Sequence, residues 1–334
     1  MLTPATYLRS RAECRVQDAE NNPVVNDPSG TPTGPEKLLR QPSKPNPVLF
    51  NEHGMRAGWR FLLFLVLVRV VVIPLVFMAL HPFRHALGSH VGDFAEFLLM
   101  LGVWATTYIM ARLERRSFFA YGLRDSVPLR HFLSGIATGF AALTLMLLVL
   151  HLFHYFDFGP QHMRGLALWR ATLANLLAFA VVALFEETAF RGYPLHTLTD
   201  GIGFWPAAVL MSLLFAYVHT QNPGEAPMGI AAVFAFGMML AFSLWRTGSL
   251  LWAIGFHFMW DFSETFIYGV PDSGFVSPEH LLTAKFSGPA WITGGTVGPE
   301  GSVFIFLVLA AVAIILHLAY PARTFQLMPP ENRG

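Results

Sequence analysis

The sequence predicts an all-α polytopic membrane protein with about eight transmembrane helices. The 334-residue chain is 54% hydrophobic and only 13% charged, whereas about 25% charged residues is usual in soluble domains. Its mean hydropathy is +0.49. From Arg60 onward, apolar segments long enough to cross a bilayer core as helices recur between short polar breaks. The segments lack the strand-like alternation of a membrane β-barrel, so we expect helices.

The first 50 residues differ in composition from the rest of the chain. They carry eight prolines among Asn, Ser, Thr and Asp, without a sustained apolar period, which predicts a disordered cytoplasmic tail at 1–50 and a transmembrane domain at 51–330. No signal peptide is recognisable there, so the first span is expected to act as the membrane signal. One cysteine, Cys14, excludes a disulfide framework and a thiolate metal site. The net charge of +1 argues against nucleic acid as a partner.

The helical spans follow one another with short connections and one long loop. The predicted spans are about 61–80, 94–112, 132–153, 171–192, 203–219, 229–246, 249–269 and 302–320. Five arginines occupy the second loop, and Arg56 and Arg60 precede the first span, so both regions should be cytoplasmic. An even number of spans returns the C-terminus to the same side. The long loop, 270–301, is then expected to face outward.

The fourth span contains two adjacent carboxylates, Glu186 and Glu187, with Arg191 one turn after the second. An ionisable side chain at a membrane helix centre costs about 2.5–3.5 kcal/mol on insertion scales, so such residues usually face the bundle interior and mark function. On a helix, Glu187 and Arg191 can pair, while Glu186 points about 100° away and has no local cation. Either Glu186 is free for chemistry, or the group is a structural ion pair beside a solvated glutamate.

Two further spans carry ionisable residues at helical spacing. In the fifth span Phe215 and His219 are one turn apart, and a histidine at a helix end can simply be a packing residue. In the seventh span His257, Asp261 and Glu264 fall on one stripe. A histidine and a carboxylate one turn apart can share a metal ion or a water, or form a structural hydrogen bond.

Together the three spans supply a free glutamate, two histidines and an aspartate. Such a set suits activation of water by a carboxylate base, with a metal ion or hydrogen bonds holding the water. It equally suits a proton path, because both uses need ionisable groups along a polar cavity. Spacing by itself leaves both open.

These motifs make the chain similar to a known family. A doubled glutamate with arginine four after it, then phenylalanine with histidine four on, then histidine with asparagine or aspartate four on, resembles the CAAX protease and bacteriocin-processing family (CPBP, also called Abi) of intramembrane proteases. The resemblance covers about residues 130–265, and the "GGTVGPEGS" stretch before the last span also looks like bacterial members.

The resemblance implies hydrolysis of a peptide bond within the membrane. Carried over by position, Glu186 would activate the water with His219, and His257 and Asp261 would complete a metal site or an oxyanion pocket. Family members are commonly labelled metalloproteases, but related eukaryotic prenyl-protein endopeptidases, with asparagine at the position of Asp261, have also been interpreted as metal-independent glutamate proteases. A carboxylate is the better cation ligand, which favours a divalent metal, most simply zinc, at His219, His257 and Asp261.

The predicted site and function can then be stated in full. The catalytic set consists of Glu186, Glu187, Arg191, His219, His257 and Asp261. The expected substrate is a membrane protein or peptide, such as a bacteriocin-like propeptide or a signal remnant, in a bacterial plasma membrane. A proton-coupled transporter and a catalytically silent scaffold are the alternatives.

The predicted boundaries raise one conflict. If the fifth span starts near 203 at the cytoplasmic surface, His219 lies about 24 Å along it, whereas Glu186 is near the cytoplasmic end of its own helix. The two can meet only if the connection 192–203 enters the protein, if tilt closes the gap, or if the boundaries differ.

Overall fold

The computed structural model describes residues 46, 48–51 and 54–327, so the predicted tail at 1–50 lies almost wholly outside the described residues. The helices are α1 Ala57–Val66, α2 Ile73–Leu80, α3 Arg84–Leu87, α4 Val91–Leu113, α5 Pro128–Leu152, α6 Gly165–Phe190, α7 Tyr193–Ile202, α8 Phe204–His219, α9 Pro227–Thr247, α10 Leu250–Asp261, α11 Ala290–Thr293 and α12 Phe304–Ala319. The strands are β1 Phe50–Asn51, β2 Gly54–Met55, β3 Phe156–Asp157 and β4 Lys285–Phe286. The predicted all-α fold class is confirmed.

Each of the eight predicted spans corresponds to a helical segment. A π-helical segment, Leu67–Val72, joins α1 to α2, and another, Phe262–Tyr268, continues α10. In the described part of the chain, five helical segments are long and apolar enough to cross a membrane: Ala57–Leu87, Val91–Leu113, Pro128–Leu152, Gly165–Ile202 and Pro227–Thr247. The segments Phe204–His219 and Phe304–Ala319 are shorter apolar helices. The exact number of spans therefore stays a prediction.

Large apolar side chains cover the outside of the bundle. Val70, Phe77 and Leu177 are 63%, 69% and 69% exposed. Contiguous apolar surface of this kind is unfavourable in water and matches a lipid environment. The interior of the bundle, in contrast, holds the charged residues described below.

Helix α10 lies inside the bundle, and glycines set its distance from α5. A Cβ atom at Gly135 or Gly139 of α5 would come within 2.2 and 2.5 Å of the backbone carbonyl oxygens of Trp252 and Phe256. Gly255 of α10 approaches the Phe132 carbonyl in the same way, at 2.3 Å. Small residues that let two helix backbones meet are typical of membrane helix packing. This close approach fixes the depth and rotation of α10.

The helix α7 is an inward-folded connection between α6 and α8. Tyr193 through Leu198 are all buried. At one end of the bundle, Arg60 of α1 forms ion pairs with Glu114, which follows α4, and with Asp200 of α7, both at 2.7 Å. Tyr193 donates a hydrogen bond to the same Glu114. These contacts hold α7 against α1 and α4 rather than outside the protein.

The long loop after α10 folds back over the bundle. Strands β3 and β4 pair antiparallel, with Phe156 opposite Phe286, and tie this loop to the α5–α6 connection. The backbone amides of Leu281 and Leu282 bond to the carbonyls of Phe266 and Ile267 in the π-helical segment. The loop is therefore anchored directly to the end of the helix that carries His257 and Asp261.

Candidate active site

The sequence of α10 orients its two polar residues away from an aromatic stack. Ser249 caps the helix by accepting a hydrogen bond from the Leu251 amide at 3.1 Å. Trp252, Phe256 and Trp260, one turn apart from each other, stack in sequence with ring centroids 5.3 and 5.8 Å apart. His257 and Asp261 occupy a neighbouring stripe and are both buried.

The paired carboxylates of α6 approach this stripe. Glu187 and Arg191, which the spacing predicted as a pair, form an ion pair with 3.0 Å between Oε1 and Nη1, and both side chains are buried. The same Oε1 atom lies 2.9 Å from Nδ1 of His257. Because an ionised carboxylate only accepts hydrogen bonds, Nδ1 of His257 is the donor. Glu187 thus connects Arg191 on its own helix to the histidine of α10.

The other ring nitrogen of His257 faces two further carboxylates. Its Nε2 atom lies 3.3 Å from Oδ2 of Asp261 and 3.7 Å from Oε2 of Glu186. The Glu186 side chain is 20% exposed, more than the other groups of this cluster. Three predicted carboxylates from two helices therefore converge on one imidazole, and Glu186 is the most accessible acid among them.

Arg191 fixes the depth at which α6 meets α8. Its guanidinium lies 4.3 Å from the ring centroid of Phe215, and the Phe190 and Phe215 rings are 5.0 Å apart. Phe215 lies well along α8, so the end of α6 is deep in the bundle. The predicted boundary near 203 is kept, and the 192–203 connection enters the protein as α7, but among the described residues no hydrogen bond or ion pair joins Glu186 to His219.

His219 makes its hydrogen bond and its ring contact within its own helix. Its Nδ1 atom is 2.8 Å from the Phe215 carbonyl, its ring is 4.4 Å from that of Phe215, and the side chain is half-buried. Within the described residues, no hydrogen bond or ion pair joins it to Glu186, His257 or Asp261.

A zinc ion shared by the three predicted ligands would require their ligand atoms to lie close together. In the described part of the chain, the three-residue group whose ligand atoms all lie within 4.8 Å of one another is Glu264, Asp272 and Glu300. His219, His257 and Asp261 do not form such a group, so these three residues do not fit a shared ion in this arrangement.

This second acidic cluster includes residues that sequence reasoning did not assign to a site. Glu264 lies on the predicted stripe of His257 and Asp261, and Glu300 lies in the "GGTVGPEGS" stretch. Both residues therefore belonged to sequence patterns that pointed to the site. Asp272, in the long loop, belonged to no such pattern. Burial and the nearby charge of Glu300 raise the pKa of the Asp272 carboxyl well above its ordinary value.

Comparison with known proteins gives one result for the same region. Residues 167–263 match the family model described as type II CAAX prenyl endopeptidase Rce1-like. No curated protein and no solved structure matches significantly. The matched segment is shorter than the expected 130–265, but it contains Glu186, His219 and His257 with their motifs. This segment holds the whole predicted catalytic set, and it is similar to the CPBP family of CAAX-type membrane proteases that the motifs resemble.

Proposed function

We propose that this chain is an intramembrane endopeptidase in which Glu186 activates a water molecule for attack on a peptide bond. The observation that supports the proposal is the convergence of Glu186 and Glu187 from α6 with His257 and Asp261 from α10 around a single imidazole. A protease at the family level agrees with the matched segment.

The roles of the carboxylates follow from their partners. Glu187 accepts hydrogen bonds from both Arg191 and His257 at Oε1, so it positions the histidine and is not available as a base. Glu186 makes no hydrogen bond among the described residues, is partly exposed and lies 3.7 Å from His257 Nε2. A water bound beside both groups can donate to Glu186 while the imidazole orients it.

The reaction then needs one proton carrier. Glu186 takes a proton from the water molecule while the water oxygen bonds to the carbonyl carbon of the substrate. The product of this step is a tetrahedral oxyanion. His257, aligned by Glu187 and Asp261, stabilises the negative charge by hydrogen bonding. As the carbon–nitrogen bond breaks, Glu186 returns the proton to the leaving amine, which restores the carboxylate.

The proposed role of His219 is contact with the substrate. Its Nδ1 donates to the Phe215 carbonyl, which leaves Nε2 without a hydrogen bond among the described residues. We assign it to contact with the bound peptide, one turn beyond the phenylalanine that holds Arg191. The proposed steps do not involve zinc, because among the described residues His219, His257 and Asp261 do not form a group with ligand atoms within 4.8 Å of one another.

The substrate class follows from the surroundings of the site. The cluster lies between helices of an apolar bundle, so the peptide must reach it from the membrane. We therefore propose a membrane-associated protein or peptide as substrate, within a bacterial plasma membrane and with cytoplasmic termini.

The test uses the full chain in lipid nanodiscs with a library of single-span membrane peptides in water labelled with oxygen-18. Mass spectrometry should find fragments whose new carboxyl terminus carries the label, and these fragments should disappear in Glu186→Gln. Proton-driven uptake in proteoliposomes that is lost in Glu186→Gln, without any cleavage, would replace the peptidase with the transporter. Binding of membrane peptides without cleavage or transport would instead favour a scaffold.

A further inference from the structure

Three carboxylates outside the candidate active site form a compact group, here called the acidic cluster: Glu264, Asp272 and Glu300. One oxygen from each lies within 4.8 Å of the others. They come from three different segments, namely the π-helical continuation of α10, the loop that follows it and the turn Pro299–Gly301 before α12. The fold therefore brings together carboxylates from the end of a helix, a loop and a turn.

Glu264 supplies a second observation that indicates a ligand. Its side chain is completely buried, and among the described residues neither carboxylate oxygen accepts a hydrogen bond of normal geometry. The indole of Trp260, one turn earlier, faces Glu264 but does not meet hydrogen-bond geometry. A buried carboxylate without donors is strongly unfavourable unless a positive charge or a proton compensates it.

The other two carboxylates are held in place from outside the cluster. Thr265 donates to Oδ2 of Asp272 at 3.2 Å, and Ser273 donates to Oε2 of Glu300 at 2.7 Å. Each hydroxyl occupies one position on its carboxylate and leaves the others available. Ligating carboxylates in metal sites are commonly oriented by such outer hydrogen bonds.

The backbone also approaches Glu264 closely. At Gly298, which has φ of +104°, a Cβ atom would lie 1.9 Å from the Pro271 carbonyl oxygen and 3.2 Å from Oε1 of Glu264. A residue without a side chain is therefore required here, and it lets the Pro271 carbonyl oxygen lie near Glu264. Carboxylate and carbonyl oxygens together are the ligands that hard divalent cations prefer.

We propose that Glu264, Asp272 and Glu300 bind one divalent cation of the hard, oxygen-preferring class, with Ca²⁺ as the best match. An all-oxygen set lacks the nitrogen or sulfur ligands of a typical zinc site. The ion neutralises the buried Glu264 and ties the long loop to the end of α10, one turn beyond Asp261. The site is structural and does not depend on the proposed peptidase activity.

The test measures cation binding by the full chain in detergent after treatment with a chelator. Tb³⁺, a probe for calcium sites, should give luminescence sensitised by the nearby Trp260, and added Ca²⁺ should reduce it. Saturating Ca²⁺ should raise the melting temperature by about 4 °C or more, because a ligand that binds only the folded state stabilises it. Mg²⁺ and Zn²⁺ serve as comparison ions.

The variants Asp272→Asn and Glu300→Gln distinguish a bound cation from carboxyl groups that share protons without a metal ion. Both should lose the Ca²⁺ response and, in chelator, melt at or above the wild-type temperature, since each removes a repelling charge. Glu279→Gln, an exposed glutamate of the same loop, should respond like the wild type. Glu264→Gln changes a fully buried side chain, so this variant can fail to fold. The Asp272 and Glu300 variants keep the test valid in that case.

Three results would overturn the proposal. One is a wild-type protein that responds to none of the ions, which would indicate carboxyl groups sharing protons. Another is a Ca²⁺ response that persists in Asp272→Asn. The third is a response to Zn²⁺ alone that His219→Ala abolishes and Asp272→Asn does not, which would place the ion at the histidines.

Discussion

The imidazole of His257 donates from Nδ1 to the carboxylate of Glu187 at 2.9 Å, across 70 residues of sequence. This contact links α6 to α10 and turns the second ring nitrogen toward Glu186 and Asp261. Glu187 therefore has a role that the helical spacing did not reveal. It is both the partner of Arg191 and the residue that positions the histidine of the candidate active site.

Removal of Arg191 should destabilise the protein. Arg191→Ala leaves the fully buried Glu187 without its cation, and breaking a buried pair from one side costs about 3–5 kcal/mol in soluble proteins. We expect a clearly lower melting temperature in detergent. Arg170→Ala, an exposed arginine of the same helix, should melt like the wild type. Equal melting curves for the two variants would contradict a stabilising pair.

Neutralisation of Glu186 should remove activity without unfolding the protein. Glu186 makes no hydrogen bond in the described residues and is partly exposed, so Glu186→Gln should keep the wild-type melting temperature. Loss of a general base lowers rates by about 10²–10⁴-fold. The rate of peptide cleavage, compared with that of Glu279→Gln, measures the effect. Cleavage at an unchanged rate in Glu186→Gln would exclude the assignment of the base.

Cleavage by Asp261→Asn and the zinc content of the protein test whether the catalytic residues bind a metal ion. If His257 and Asp261 act by hydrogen bonds alone, Asp261→Asn should retain most of the activity, because an amide oxygen can still accept from the imidazole. The cleaving protein should also contain no zinc by elemental analysis. Stoichiometric zinc that disappears in both His219→Ala and His257→Ala, together with activity, would instead support zinc at His219, His257 and Asp261.

The glycine contact between α5 and α10 should be sensitive to a single methyl group. Gly139→Ala would place a Cβ 2.5 Å from the Phe256 carbonyl, and overpacking typically costs about 1–3 kcal/mol. We expect lower stability and reduced cleavage, because the carrier helix of His257 must shift. Gly92→Ala is a matched control, since its Cβ would meet no atom within 4 Å. A normal melting temperature for Gly139→Ala would argue against rigid packing here.

Several features follow from the amino-acid sequence by local rules. Hydropathy identified the membrane class and the positions of the helices. Helical spacing predicted the Glu187–Arg191 pair and the neighbouring positions of His257 and Asp261, because residues one turn apart on one helix meet whatever the rest of the chain does. The short motifs were sufficient to indicate the family that residues 167–263 match, since their order along the chain is itself sequence information.

Other features required the tertiary structure, because they depend on distances between separate elements. The link from Glu187 to His257 exists because glycines set the position of α10 beside α5. The end of α6 reaches Phe215 because α7 folds into the protein, and among the described residues His219 still has no hydrogen bond to His257. Glu264 meets Asp272 and Glu300 only because the long loop returns over the end of α10. The sequence determined which side chains carry the chemistry; helix offsets and loop packing, which no local pattern encodes, decided which of them meet.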